Sequence, residues 1–198
     1  VFIICEGGVT NYGDINAAKR QIDTAVDAEA DAIKFQAWKT SELVSKWSSE
    51  KMRIAQGFDW FKRMSEKEMS FEEIEILFHY AKRKKIEVFA TPQDNTALDF
   101  LADEVNQQVI KVASGAANNF EFLRRVGNKK KPVLISFGFQ EDYEVIKAID
   151  VLSSAGASDI VALHCVSLYP TPYEYTNLKR IEHLKEMLEI PVGISDHS

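Results

Sequence analysis

Apolar residues along this chain recur in two alternating rhythms. Short, mainly apolar runs occupy residues 1–5, 32–35, 87–90, 109–113, 132–135, 160–163 and 191–194. Their length and apolar character are those of buried parallel strands. Between the runs, apolar positions fall three and four apart, the spacing of one helix face. Ile15, Ala18, Ile22 and Val26 form such a stripe behind Asp14, a residue suited to capping a helix. Ser70 and Glu73 have capping-box spacing ahead of Ile74, Leu77, Phe78 and Ala81. Further stripes run through Leu98 and Leu101, through Phe120, Leu123 and Val126, through Val145, Ile146, Ile149 and Leu152, and through Ile181, Leu184 and Leu188.

Strict alternation of strand and helix predicts an α/β fold of parallel strands joined by right-handed crossovers. Seven units, with no GxGxxG after the first strand, favour a TIM (β/α) barrel over an open dinucleotide-binding sheet. Such a barrel takes eight strands and about 250 residues. The expectation is therefore a single barrel domain over 1–198, truncated after strand seven, lacking its last β/α unit and anything beyond. The connection over residues 39–69 is long; it reads equally well as a cover with a short helix at 59–64 or as a packed peripheral loop.

Polar residues gather where the runs end. Glu6 closes the first strand, and Lys34 and Gln36 share one face of the second. Thr91 ends the third, Lys111 and Ser114 the fourth, and Ser136 the fifth. His164, Ser167 and Tyr169 follow the sixth, with Ser195, Asp196 and His197 after the seventh. In a parallel barrel these ends share one rim, the side that carries the chemistry. A lysine within an apolar strand is costly unless it meets an anion. Glu6 can pair with one of Lys34 and Lys111, leaving the other for a ligand; hydroxyls and ammonium groups together suit phosphate. His197 is a candidate metal ligand with the Asp196 carboxylate beside it. His79 and His183 lie on helices, outside the apolar stripes.

Composition narrows the classes. Hydrophobic residues make up 45% and charged residues 27% of the 198, with a net charge of -6. That balance offers no basic footprint for nucleic acid, yet a few local lysines can still hold an anion. No apolar run approaches the roughly 20 residues of a membrane-spanning helix. Cys5 and Cys165 read as small apolar fillers in a reducing, cytoplasmic setting, and no charged segment of the kind that opens a secretion signal is visible.

Taken together, the chain resembles the sialic acid synthase (N-acetylneuraminate synthase) family, which includes the spore-coat polysaccharide synthases. The matching pieces are Glu6-Gly-Gly with Asn11-Tyr-Gly-Asp14, Ala32-Ile-Lys-Phe-Gln36, Ala90-Thr-Pro92 and Lys111-Val-Ala-Ser-Gly115 with Asn119. They continue with Ser136-Phe-Gly138, Leu163-His-Cys-Val-Ser-Leu-Tyr-Pro-Thr-Pro172 and Pro191-Val-Gly-Ile-Ser-Asp-His197. The resemblance implies condensation of phosphoenolpyruvate with an N-acetylated hexosamine aldehyde, giving a nonulosonic acid and phosphate. It implies a divalent metal, Mn2+ or Mg2+, with His197 as one ligand, and a homodimer at full length. A C-terminal antifreeze-like domain of the family has no counterpart in residues 1–198. By the same resemblance, Lys34, Thr91, Lys111, Ser114, Ser136, Ser167 and Ser195 line the phosphoenolpyruvate pocket, with Asp196 in the substrate-binding set. Glu6, Gln36 and Tyr169 face the sugar and the reacting carbons. Ala116, Thr10-Asn11-Tyr12-Gly13 and Ser136-Phe-Gly-Phe139 depart from the family pattern at sugar-side positions, which points to altered sugar specificity.

The chemistry assigns Glu6, Lys34 and Lys111 as catalytic. The lysines neutralise phosphate and carboxylate, and Glu6 handles a proton. Two rivals stand beside this reading: a Schiff-base aldolase with Lys111 as nucleophile, and a noncatalytic sugar- or phosphate-binding barrel.

Overall fold

The seven expected strands all form, and every strand pairing is parallel. The structure is a computed structural model and describes residues 1–198, the side chain of Gln56 excepted. The chain divides into two units, Val1–Gln107 and Gln108–Ser198. Among the described residues no helix is long and apolar enough to cross a membrane.

In the first unit, β1 (Ile4–Gly8), β2 (Ala32–Ala37) and β3 (Glu87–Pro92) pair in the order β1-β2-β3. β1 lies three residues later than its apolar run implies. Residues 1–3 are exposed, and Ile3 instead exchanges hydrogen bonds with the turn before β2: its N–H donates to the Asp31 carboxylate, and its carbonyl accepts from Asp31 and Ala32. Glu6 therefore sits within β1 and not at its end. Helices α1 (Ile15–Asp27) and α5 (Phe71–Lys84) cover one face of this sheet. Asp14 caps α1 through Asn16 N–H, and Ser70 with Glu73 forms the expected capping box on α5. Ala18, Ile22 and Ala25 of α1 and Ile74, Leu77 and Ala81 of α5 bury against Ile33, Phe35, Ala37 and Ala90. Full burial of side chains of this size contributes about 1.5–3 kcal/mol each for the larger ones. Gly7 is required here, because a Cβ would lie 2.6 Å from the Phe35 ring.

The long connection folds into α2 (Thr40–Leu43), α3 (Lys46–Gln56) and α4 (Trp60–Ser65). The short helix expected at 59–64 is α4, capped by Asp59. The connection is tied to the body by Lys39 N–H donating to Asp94 and Thr96 Oγ1 to Glu42. Asp94 also caps α6 (Asn95–Asp99), which continues as a π turn over Phe100–Glu104.

In the second unit, β4 (Ile110–Val112), β5 (Val133–Phe137), β6 (Ile160–His164) and β7 (Val192–Ile194) pair in sequence order. Their connections carry α7 (Phe120–Asn128), α8 (Asp142–Ala155) and α9 (Lys179–Leu188). The buried stripe of α8 is Val145, Ala148, Val151 and Leu152, rotated from the expected one, and Ile146 is exposed. Alanine at 148 lets the helix sit close, so the smaller side chain and not the larger neighbour marks the packed face. α7 and α8 approach at Gly127, where a Cβ would lie 2.7 Å from the Leu152 carbonyl.

Candidate functional site

Strand register sorts the side chains of the first unit onto two faces. Glu6 pairs with Lys34, Lys34 with Phe89, and Gln36 with Thr91. Residues paired across parallel strands share a face, so Glu6, Lys34, Gln36 and Thr91 lie on the side away from α1 and α5. Lys34 is 9% exposed and donates to the Glu6 carboxylate. This is the ion pair anticipated for one of the two strand lysines. Half of the Glu6 side chain remains open to solvent, so the carboxylate can still reach a ligand. The Thr91 hydroxyl is buried with no hydrogen-bond partner. A stranded hydroxyl costs on the order of 1–3 kcal/mol, and a bound acceptor or donor would recover that cost. Gln36 accepts from Gln93 Nε2 at 3.1 Å.

In the second unit, Lys111 pairs with Leu134, Ser136 with Leu163, and Leu163 with Gly193. These residues lie opposite the fully buried apolar set of Ile110, Val112, Val133, Ile135 and Ala162. Lys111 is 4% exposed, and its ammonium donates to Ser136 Oγ at 2.6 Å and to the Val112 carbonyl at 2.7 Å. Just beyond the strand ends, Ser114 Oγ and Ser167 Oγ stand 3.5 Å apart. Gly138 lies between them: a Cβ there would run into Ser167 Oγ and come within 2.9 Å of Cys165 Sγ. Gln140 holds this corner, donating to the Ser114 carbonyl and accepting from the N–H groups of Gly138 and Phe139. Burial pushes the Cys165 thiol up, against an opposing hydrogen bond from Ser114 and the Lys111 charge. The thiol is therefore a packing group and no thiolate nucleophile.

His164 does not join these groups. Its register partners are Phe137 and Ile194, on the face opposite Lys111 and Ser136, and its Nε2–H donates to the Thr176 carbonyl at 2.8 Å. It is 4% exposed and fastens the loop before α9. The expectation that it shares the polar rim is corrected: alternation along β6 turns it to the buried side with Ala162.

After β7, Ser195 is half-buried and its N–H donates to the His164 carbonyl. Asp196 is exposed and accepts from Ser198 N–H and Oγ, which hold its carboxyl below the usual range. His197 Nδ1 lies 2.6 Å from the Val166 carbonyl, which fixes the proton on Nδ1 and leaves the Nε2 lone pair. Tyr169, three-quarters exposed, stacks on the ring at 4.1 Å and donates its hydroxyl to Nε2 at 3.1 Å. A carbonyl on Nδ1 is the arrangement that readies Nε2 for a metal. His197 thus fits as one ligand. Among the described residues no group of three or more His, Cys, Asp or Glu could hold a metal ion, so it does not form a cage by itself.

The structure brings together Glu6 with Lys34, Gln36 with Thr91, Lys111 with Ser136, Ser114 with Ser167, and Tyr169 with His197. Gln93 and Gln140 escaped the sequence reading. Carboxamides that clasp a neighbouring backbone or amide leave no trace in apolar periodicity.

Comparison with known proteins agrees with the motif resemblance. The model described as NeuB family matches residues 21–198. An uncharacterized protein of Methanocaldococcus jannaschii is 40% identical over 197 residues, covering 100% of this chain and 55% of that protein. An N,N'-diacetyllegionaminic acid synthase of Campylobacter jejuni is 32% identical over 202 residues, covering 99% of this chain and 60% of its own. Among solved structures, N-acetylneuraminic acid (sialic acid) synthetase from Leptospira borgpetersenii, in complex with citrate, superposes with a TM-score of 0.88 at 33% identity. That match covers 100% of this chain and 65% of the solved one. The fold class is accordingly the (β/α) barrel. The chain spans somewhat more than half the length of the curated relatives it matches.

Proposed function

The chain belongs to the NeuB family, and from that premise we propose that it carries the barrel part of a synthase condensing phosphoenolpyruvate with an N-acetylated hexosamine aldehyde. The products are a nonulosonic acid and inorganic phosphate. One observation carries the reading: Lys111 holds its ammonium almost fully buried beside the Ser136 hydroxyl, on the strand face away from the apolar core. An ammonium buried on this face can be stabilised further by an arriving anion. Phosphoenolpyruvate, with phosphate and carboxylate, is such an anion.

In this reaction carbon 3 of phosphoenolpyruvate forms a bond to the aldehyde carbon, and the aldehyde oxygen takes up a proton. Water adds to carbon 2, and cleavage of the carbon–oxygen bond releases phosphate. Lys111 and Lys34 balance the phosphate and carboxylate charges, and Thr91, Ser114, Ser136, Ser167 and Ser195 donate to their oxygens. Glu6 takes the proton of the attacking water, and the Lys34 ammonium that donates to it orients the carboxylate. Gln36 and Tyr169 face the sugar, and Asp196 completes the substrate set. A divalent metal, Mn2+ or Mg2+, with His197 as its imidazole ligand, would supply Lewis-acid polarisation of the aldehyde. The working unit in this proposal is a homodimer of the full-length protein.

The test is phosphate release by the full-length protein given phosphoenolpyruvate, Mn2+ and a panel of N-acetylhexosamines. Release that depends on both substrates is expected with at least one sugar. No release with any of them overturns the proposal. Borohydride trapping of a carbonyl substrate on Lys111 would replace it with the Schiff-base aldolase.

A further inference from the structure

Gln36 is the last polar side chain on β2, on the face that bears Lys34 and the buried Thr91 hydroxyl. What it offers a ligand depends on which way its carboxamide is turned, since one end donates and the other accepts. The segment just after β3 places the Gln93 carboxamide against it. Gln93 N–H donates to the Ala37 carbonyl at 2.9 Å. The next residue, Asp94, is 8% exposed and accepts from Lys39 N–H at 2.6 Å and Ala97 N–H at 2.7 Å. Residues 93 and 94 are thus clamped to the chain just after Gln36, at Ala37 and Lys39. From this fixed point Gln93 Nε2 donates to Gln36 Oε1 at 3.1 Å. The acceptor end of Gln36 is taken, and its Nε2–H groups remain to serve a ligand.

We propose that Gln93 is a positioning residue that makes Gln36 a hydrogen-bond donor, so that the site selects an acceptor oxygen of the sugar at this point. Lys34 and Gln36 Nε2 offer only protons, and the Thr91 hydroxyl can offer one as well. A sugar presenting an amine or ammonium to Gln36 Nε2 would meet a donor that cannot accept from it, the half-exposed Glu6 carboxylate being the acceptor elsewhere on this face. A sugar presenting a carbonyl or hydroxyl oxygen is held. Gln93 touches no substrate in this scheme and acts through Gln36 alone.

The inference rests on the proposed condensation for its kinetic arm and has a second arm that does not. Gln93→Glu puts an acceptor-only carboxylate opposite Gln36, whose amide must turn over to donate to it. Its Oε1 then faces the ligand. Gln93→Met keeps the length and removes the hydrogen bond. Full-length Gln93→Glu is expected to raise KM for the sugar about tenfold, with kcat and the dissociation constant for phosphoenolpyruvate held within about twofold; Gln93→Met should raise KM roughly threefold. In the second arm, the Gln36 side-chain amide is followed by 15N–1H correlation in the substrate-free protein, assigned by its loss in Gln36→Leu. Gln93→Glu should shift that signal, and Gln93→Met should speed its exchange with water relative to Gln93→Glu. An unmoved Gln36 amide signal in both variants overturns the proposal whatever the kinetics show. A moved signal with unchanged sugar KM overturns the specificity role. Absence of any phosphate release by the parent defeats the functional reading while the amide signal still decides the orientation.

Discussion

Gln107 shows how one side chain can stand in for a strand. Its Oε1 accepts from Ala90 N–H at 3.0 Å, and its Nε2 donates to the Ala90 carbonyl at 3.1 Å. The carboxamide thus reproduces the donor–acceptor pair that a neighbouring strand would present to β3. Both groups are buried, so Gln107→Leu strands an N–H and a C=O at once. The expected cost is on the order of 2–4 kcal/mol, read as a lower urea midpoint with an unchanged slope. A loss under about 0.5 kcal/mol would show that water replaces the amide. Lys111 poses the opposite question, since the Ser136 hydroxyl it donates to can be shared with a ligand. Lys111→Met in the full-length protein should leave the melting temperature nearly unchanged and weaken phosphoenolpyruvate binding by roughly 30- to 150-fold, the equivalent of about 2–3 kcal/mol. Calorimetric titration and a thermal melt separate the two roles. Intact affinity with a collapsed melting temperature would make Lys111 a structural residue.

Among the elements, α8 and α9 are tied at their exposed ends by one carboxylate. Asp142, the first residue of α8, takes Arg180 and His183 from α9. The hydrogen bonds from His183 and then Arg180 hold its carboxyl below the ordinary value. A carboxyl that is more acidic folded than unfolded adds stability in full above the unfolded pKa of about 3.9. That share disappears as pH falls through the lower folded value. Asp142→Asn should therefore lower stability at pH 7 and lose its effect toward pH 3. With 45% of the side chain exposed, screening keeps the effect below about 1 kcal/mol. Melts of both proteins across pH 3–7 check this; a gap that widens toward acid would contradict it. The same elements show what a sequence can disclose. Strands β2 to β7 were legible because each is a short apolar run fenced by turns. Helix α3 was not: Trp47 and Ile54, its large apolar residues, are exposed and form no buried stripe. β1 shifted because backbone bonds from Asp31 and Ala32 to Ile3 compete with strand pairing at its start.

For the molecule as a whole, alternation along each run discloses which side chains share a face. Lys34 and Gln36, two apart on one run, share a face as expected, whereas which of the two lysines meets Glu6 is decided by strand register. His164 was readable too, since it shares parity with Ala162, but its polarity outweighed that parity in the expectation. The clasps of Gln93, Gln107 and Gln140 depend on loops whose course no periodicity encodes. Metal binding is the property in which a chain spanning about half of its relatives should differ most from a full-length protein. His197 arrives with Nδ1 committed to the Val166 carbonyl and Nε2 engaged by the exposed Tyr169 hydroxyl. One imidazole is a poor hold for Mn2+, and the described residues offer no group of three acidic, thiol or imidazole ligands. Residues 1–198 alone should therefore bind Mn2+ only weakly. Phosphoenolpyruvate oxygens could complete part of the coordination, so the two ligands should strengthen each other's binding by equal factors. In the full-length protein, His197→Ala should lower Mn2+ affinity and turnover together while the melting temperature without metal holds. Titration of Mn2+ by electron paramagnetic resonance, with and without phosphoenolpyruvate, reads each statement directly. Tight Mn2+ binding by residues 1–198 that survives His197→Ala would place the metal on other ligands and remove His197 from the proposed chemistry.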